Sequence, residues 1–181
     1  MPGARGVTRL RIVIDEIFDV VNERDEVIGQ APRAEVHRRG LKHRAVHVLV
    51  FNERGEVFLQ KRSMKKDCSP GAWDSSASGH LDTGEEYNAC SVRELREELG
   101  VTLPLPPRRL FKVDSSPETG FEFCWVYRGT HEGPFVLHPD EIERGDWFTP
   151  AAVDEWMRAR PEEFAGAFRL IWNRWRGTQG A

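Results

Sequence analysis

The sequence predicts an α+β sandwich, a mixed β-sheet with one central helix and other helices packed around it, and three observations carry that prediction. The β-branched run at 45–51 (AVHVLVF) turns at 52–55 and returns antiparallel as 56–62 (EVFLQKR). Residues 85–99 have helical spacing between a start and a stop signal. Near the C-terminus Phe164, Phe168, Ile171, Trp172 and Trp175 form an apolar helical stripe.

The elements follow in order. Residues 16–21 and 26–30 read as a hairpin around the polar turn 22–25, and Pro32 opens a short helix (RAEVHRR) that stops at Gly40. The two strands at 45–51 and 56–62 come next, then a polar loop at 63–71 and an extended, small-residue stretch at 73–79. The loop at 81–84 feeds the central helix. Thr83 and Glu86 have the T-x-x-E spacing of a capping box, Gly100 supplies a left-handed stop, and Ala89, Val92 and Leu95, or Val92 with Leu99, define the expected apolar face. Strands at 108–113 and 121–128 flank the Ser-Ser-Pro-Glu-Thr-Gly turn, and another lies at 141–148. Thr149-Pro150 opens a short helix, and Pro161 opens the last one, whose stripe is read as core or dimer packing and leaves a homodimer open.

With 181 residues the chain supports one domain, expected over 15–176, with flexible segments at 1–14 and 177–181. A 39% hydrophobic, 30% charged composition is that of a globular protein rather than a disordered one. Cys68, Cys90 and Cys124 are too few and too widely spaced for a disulfide framework or a CxxC zinc site, so a reducing cytoplasm is expected and Cys68 and Cys90 are read as packing residues. The apolar run near the N-terminus is too short for a signal peptide, and no stretch approaches the roughly 18 apolar residues of a membrane span. A net charge of -3 argues against a nucleic-acid polymer as partner. That sum hides a segregation: residues 33–66 carry a net +7 and residues 79–101 a net -4.

Chemistry concentrates in 79–101, GHLDTGEEYNACSVRELREELGV. Glu94, Glu97 and Glu98 stand at i, i+3 and i+4, so their carboxylates leave one helix face. Three like charges there repel, and an all-oxygen ligand set favours a hard cation, Mg²⁺ or Mn²⁺. Arg93, two turns beyond Glu85, is placed to hold that carboxylate.

Gly79, five residues, Glu85, seven residues and then Arg93-Glu94-Leu95-Arg96-Glu97-Glu98-Leu99-Gly100-Val101 matches the Nudix box at every defined position. A chance match at a given site is on the order of one in 10⁹. The chain therefore resembles a Nudix hydrolase, which implies an α/β/α sandwich that hydrolyses a nucleoside diphosphate linked to another moiety. By this resemblance Glu94, Glu97 and Glu98 ligate Mg²⁺, the Gly79 carbonyl adds a ligand, and Glu85 and Arg93 brace the loop. A general base is still needed, and Glu97, Glu122, Glu141 and Glu143 are the candidates.

Over roughly 15–150 the chain also resembles the Nudix branch related to isopentenyl-diphosphate isomerase. In that branch the basic loop before the box binds diphosphate oxygens, which makes Arg62 and Lys66 candidates for a small diphosphate substrate. The isomerase has a Cys two residues before the His of its GH motif, and here that position is Ser78, followed by Gly79-His80. His37, His43, His80 and Glu122 fall near its metal ligands and form a candidate second metal site, although the partner position of Glu122 is Gly120. A serine hydroxyl is a far poorer acid than a thiol of pKa about 8.5, and the isomerase's box keeps only one metal-binding Glu, so hydrolysis is the expectation over isomerisation. A non-catalytic nucleotide-binding sensor is the third reading.

Overall fold

Two adjacent strands that splay apart position everything else. The computed structural model describes residues 16–179, so the expected flexible segment at 1–14 and the last two residues lie outside the described residues. β1 (Ile17–Val21) and β2 (Val27–Pro32) pair antiparallel as a two-stranded sheet. Asn22 closes their turn by accepting from the backbone N–H of Arg24 and Glu26. α1 (Arg33–Arg39) follows and ends at Gly40 in the left-handed region.

β3 (His43–Phe51) is buried at every position but Arg44, the mark of a central strand. It pairs in parallel with β8 (Glu122–Thr130) from His43↔Glu122 to Phe51↔Thr130, and β8 pairs antiparallel with β7 (Arg108–Val113). On its other edge β3 meets β4 (Val57–Arg62) at only two residue pairs, after which the two strands diverge. The 73–80 segment fills the gap: β5 (Trp73–Asp74) pairs with β4, and β6 (Ala77–His80) pairs with β3. Ser76, fully buried where the ladder splits, accepts from Val50 N–H and donates to Phe58 C=O, so two backbone groups orphaned by the divergence are satisfied. β9 (Ile142–Phe148) covers the far edge of β4.

Strand alternation sends side chains to two cores. Val46, Val48, Val50 and Phe58 pack against α2 (Tyr87–Leu99), while Leu49, Phe51, Val57 and Leu59 pack against α3 (Pro150–Ala159) and α4 (Gly166–Gly177). The result is the α/β/α sandwich expected. Among the described residues no helix is long and apolar enough to cross a membrane.

Several local expectations are corrected. The central helix starts at Tyr87, not at 85, and the Thr83–Glu86 capping box is absent: Thr83 Oγ1 donates instead to the Ile17 carbonyl. Ala89 and Val92 face solvent, because Glu94 and Glu98 lie in the buried stripe beside Tyr87, Cys90, Leu95 and Leu99 and rotate that stripe away from the purely apolar one. Cys90 packs in the core as expected, but Cys68 is exposed. Pro161 opens only a 3₁₀ turn at Pro161–Glu163, and Phe164 precedes α4. Phe164, Phe168, Ile171, Trp172 and Trp175 are all buried within one core, so this stripe gives no surface to a dimer. α4 itself runs to Gly177, inside the expected tail.

Candidate active site

α2 and β6 face each other across a cleft of about 260 Å³ lined by Gly79, Arg93, Glu94, Glu97, Glu98 and Glu141 among others. The helix brings the three carboxylates to one side. Glu94 and Glu98 are buried, and Glu97 is half-exposed. Glu98 Oε2 accepts from Gln60 Nε2 and from the Ser78 N–H, both at 3.0 Å, and no other protein donor among the described residues reaches its Oε1. Glu94 Oε1 accepts from Arg93 at 2.7 Å, and its Oε2 likewise has no donor. Burial pushes both carboxyls above the ordinary range; Arg93 works against this at Glu94, and the charge of Glu94 adds to it at Glu98. A Cβ at Gly79 would fall 2.1 Å from Glu94 Oε1, so only glycine lets this carboxylate lie against the β6 backbone. Two buried carboxylates that line this cleft, each with an unbonded oxygen, fit a divalent cation.

Arg93 frames this cleft. Its guanidinium grips Glu85 through Nε and Nη2 at 2.9 and 2.8 Å, donates to the His80 carbonyl at 2.9 Å, and reaches Glu94 and Glu97 from Nη1. The loop before the helix is thereby bound to the helix itself, and the expected Glu85–Arg93 pair is present. Glu85 also accepts from the Asp82 N–H. Of the four candidate bases, Glu97 and Glu141 line the cleft. Glu143 pairs with Lys61 elsewhere, and Glu122 lies beyond β6.

On the other side of β6 is a larger cavity, about 590 Å³, that shares Arg33, Lys66, Ser78, Gly79 and His80 with the cleft. Lys66 pairs with Glu141, and Arg62 donates to Asp74 at 3.0 Å and to the Cys68 carbonyl at 3.1 Å. Both basic residues thus border the site while held by carboxylates. His37, His43 and His80 gather here with ring centroids 5.1–5.3 Å apart, and their ligand atoms lie within 4.8 Å of one another. His80 Nε2 and Glu122 Oε1 are 2.9 Å apart, the buried His43 Nε2 lies 3.7 Å from the same oxygen and has no hydrogen-bond partner among the described residues, and burial lowers the His80 pKa to about 4. Trp73 is a core residue, and Trp125 lies under Arg109.

A family profile described as the NUDIX domain matches residues 41–168. The chain belongs to the Nudix family. This Nudix chain is 36% identical over 139 residues to a Nudix hydrolase of Deinococcus radiodurans, covering 76% of this chain and 81% of that one. It is 30% identical over 163 residues to isopentenyl-diphosphate Delta-isomerase 2 of Photorhabdus laumondii, covering 88% and 92%. Among solved structures, DR0079 from Deinococcus radiodurans superposes with a TM-score of 0.78 at 33% identity, covering 88% of this chain and 98% of that one. The fold alone is shared with the Nudix domain of Shewanella oneidensis NrtR complexed with ADP ribose, at a TM-score of 0.60 and 16% identity over 82% of this chain and 99% of that one.

Two Nudix-site residues escaped the sequence reading. Gln60 holds Glu98, and its only signal is a polar residue on an otherwise apolar strand face with Phe58. Arg33, joined to Glu16 and Asp67, walls both spaces, and nothing but its basic character marks it.

Proposed function

We propose that this Nudix domain is a pyrophosphohydrolase that uses Mg²⁺ or Mn²⁺ to cleave a small nucleoside diphosphate linked to another moiety. The observation that carries the reading is the pair of buried carboxylates, Glu94 and Glu98, each with one oxygen left unbonded toward a cleft also lined by Glu97 and Gly79. Glu94, Glu97 and Glu98, with the Gly79 carbonyl, would hold the cation, which supplies the positive charge that lets a diphosphate approach three carboxylates and stabilises charge on the leaving oxygen. Arg93 and Glu85 act as positioning residues, fixing the loop against the helix. Gln60 and the Ser78 N–H orient Glu98. Glu97 or Glu141 takes the proton of the attacking water. Lys66 and Arg62 border the path of the phosphates and bind their oxygens by exchanging a carboxylate partner for the substrate.

One observation favours a second reading, isomerisation of isopentenyl diphosphate: the cluster of His37, His43, His80 and Glu122 does assemble, and the orphaned His43 Nε2 fits a second metal ion. Ser78 in place of a thiol opposes it. Glu98→Gln, assayed with Mg²⁺ on nucleotide sugars and dinucleoside diphosphates, is expected to lose at least about a hundredfold in phosphate-ester release. Unchanged hydrolysis, or turnover of isopentenyl diphosphate by wild type, overturns the proposal; binding without hydrolysis points to the sensor reading.

A further inference from the structure

The larger cavity lies between the start of α4, where Arg169 lines it, and one face of the sheet. Alternation and register decide what that face presents. His43, Ala45 and His47 leave β3 on the same side. Ala45 is paired with His80 of β6 on one edge and with Cys124 of β8 on the other. Ser78 stands opposite His47, and Glu122 beside His43. A single methyl at the centre is therefore ringed by imidazole, hydroxyl, carboxylate and thiol groups, and Ala45, His47 and Glu122 line the cavity.

The two oxygens of Glu122 meet different neighbours. His80 and His43 face Oε1, at 2.9 and 3.7 Å. Cys124 Sγ lies 3.6 Å from Oε2, and a ring nitrogen of His47, a Glu122 oxygen and Cys124 Sγ are all within 4.8 Å of one another. His47 and Cys124 are buried, and neither the hydrolase nor the isomerase reading uses them.

His47 is braced as a metal ligand is. Its Nδ1 lies 2.8 Å from Ser75 Oγ and 3.6 Å from Asp74 Oδ1, and Asp74 is itself fixed by Arg62 and the Ser75 N–H. A histidine held at one ring nitrogen by a hydroxyl and a carboxylate presents the other, Nε2, in a set orientation, which is how metal-bound imidazoles are oriented. His43 supplies a separate observation. Its buried Nε2 has no hydrogen-bond partner among the described residues, so the protein alone does not satisfy the polar groups around Glu122.

We propose that His47 Nε2, Glu122 Oε2 and Cys124 Sγ hold a divalent cation of the Zn²⁺ class over Ala45, with a fourth position open to the cavity. One nitrogen, one oxygen and one sulfur suit a borderline-soft ion, and three protein ligands leave a four-coordinate ion one position for water or an anionic group. The thiol proton leaves to solvent as the metal–sulfur bond forms. The all-oxygen cleft on the α2 side favours a hard cation instead, so the two sides of β6 sort ions by ligand softness.

The test uses Co²⁺ in place of Zn²⁺, because a bound thiolate gives Co²⁺ a near-ultraviolet charge-transfer band that histidine and carboxylate ligands do not. Reduced wild type titrated with Co²⁺ is expected to develop this band, to keep it in excess Mg²⁺ and to lose it when Zn²⁺ is added. Cys124→Ser is expected to abolish the band, and Cys68→Ser, which removes the thiol beside His37 and Asp67, to leave it unchanged. His47→Gln is expected to weaken Co²⁺ binding, read from the same band, at least about tenfold. No band in wild type, an undiminished band in Cys124→Ser, its loss in Cys68→Ser, or unchanged affinity in His47→Gln overturns the proposal. Wild type, Cys68→Ser and His47→Gln decide the matter if Cys124→Ser does not fold. None of these readouts depends on hydrolysis, so failure of the hydrolase reading leaves them intact.

Discussion

The two spaces on either side of β6 share Arg33 and Lys66 but differ in the charged groups around them. The α2 side is a narrow cleft with two buried carboxylates that each keep an unbonded oxygen; the α4 side is a roomier cavity lined by three arginines, a lysine and His37, His47 and His80, with Asp74, Glu118 and Glu122 among them. Both share Ser78, Gly79 and His80 of β6 together with Arg33 and Lys66, so one short strand and two cations stand between the carboxylate cleft and the roomier cavity. Of the ten basic residues behind the net +7 over 33–66, Arg33, Arg62 and Lys66 line these spaces, and of the six acidic residues behind the net -4 over 79–101, Asp82, Glu94, Glu97 and Glu98 line the cleft. On the proposed function a diphosphate would lie at this boundary, its charge met by a cation on the first side and by donors on the second.

The difference can be broken most severely at Arg93. Arg93→Ala leaves Glu85 and Glu94 without their counter-charge, and is expected to cost about 3 kcal/mol in urea unfolding and to lower kcat about a hundredfold. Arg93→Lys is expected to recover little of either, because an ammonium cannot grip Glu85 with two parallel N–H bonds. Ser76→Ala sharpens the comparison with a smaller effect. It unpairs Val50 N–H and Phe58 C=O where the sheet splits, at a cost of about 1–3 kcal/mol, while kcat/KM stays within about twofold because Ser76 lines neither space. A large activity loss there would mean that the splayed geometry itself tunes the site.

What the sequence made legible was local. The box is a contiguous run with fixed spacing, so Glu85, Arg93, Glu94, Glu97 and Glu98 were found together, and alternating or β-branched stretches located the strands to within a few residues. Partners from distant segments were not legible. Gln60 reaches Glu98 across 38 positions, and Arg169 enters the cavity only because α4 crosses the opposite face of the sheet. The apolar face of α2 was misplaced for a related reason. A helix that buries functional carboxylates gives part of its inward stripe to charge, so hydrophobic periodicity alone rotates the helix toward Val92, which is 39% exposed. The His cluster was suggested by resemblance, and its assembly depends on α1, β3 and β6 meeting at one end of the sheet.

On the proposed function the buried carboxylates of Glu94 and Glu98 hold protons until a divalent cation replaces them. Glu94 and Glu98 have pKa values raised by burial, so the folded protein holds protons there that the unfolded chain releases, and without metal its stability declines as pH rises from the ordinary carboxylate range toward neutrality and beyond. A bound cation removes that penalty, and protons compete with it at low pH. The direct measurement is the thermal midpoint with EDTA and with Mn²⁺, at pH 5.5 and pH 8, for wild type and Glu98→Gln. The expected result is a midpoint several degrees higher with Mn²⁺ at pH 8, a much smaller rise at pH 5.5, and for Glu98→Gln no rise at pH 8 from an EDTA midpoint at or above that of wild type. A Mn²⁺ shift of the same size in Glu98→Gln, or none in wild type at pH 8, would contradict it.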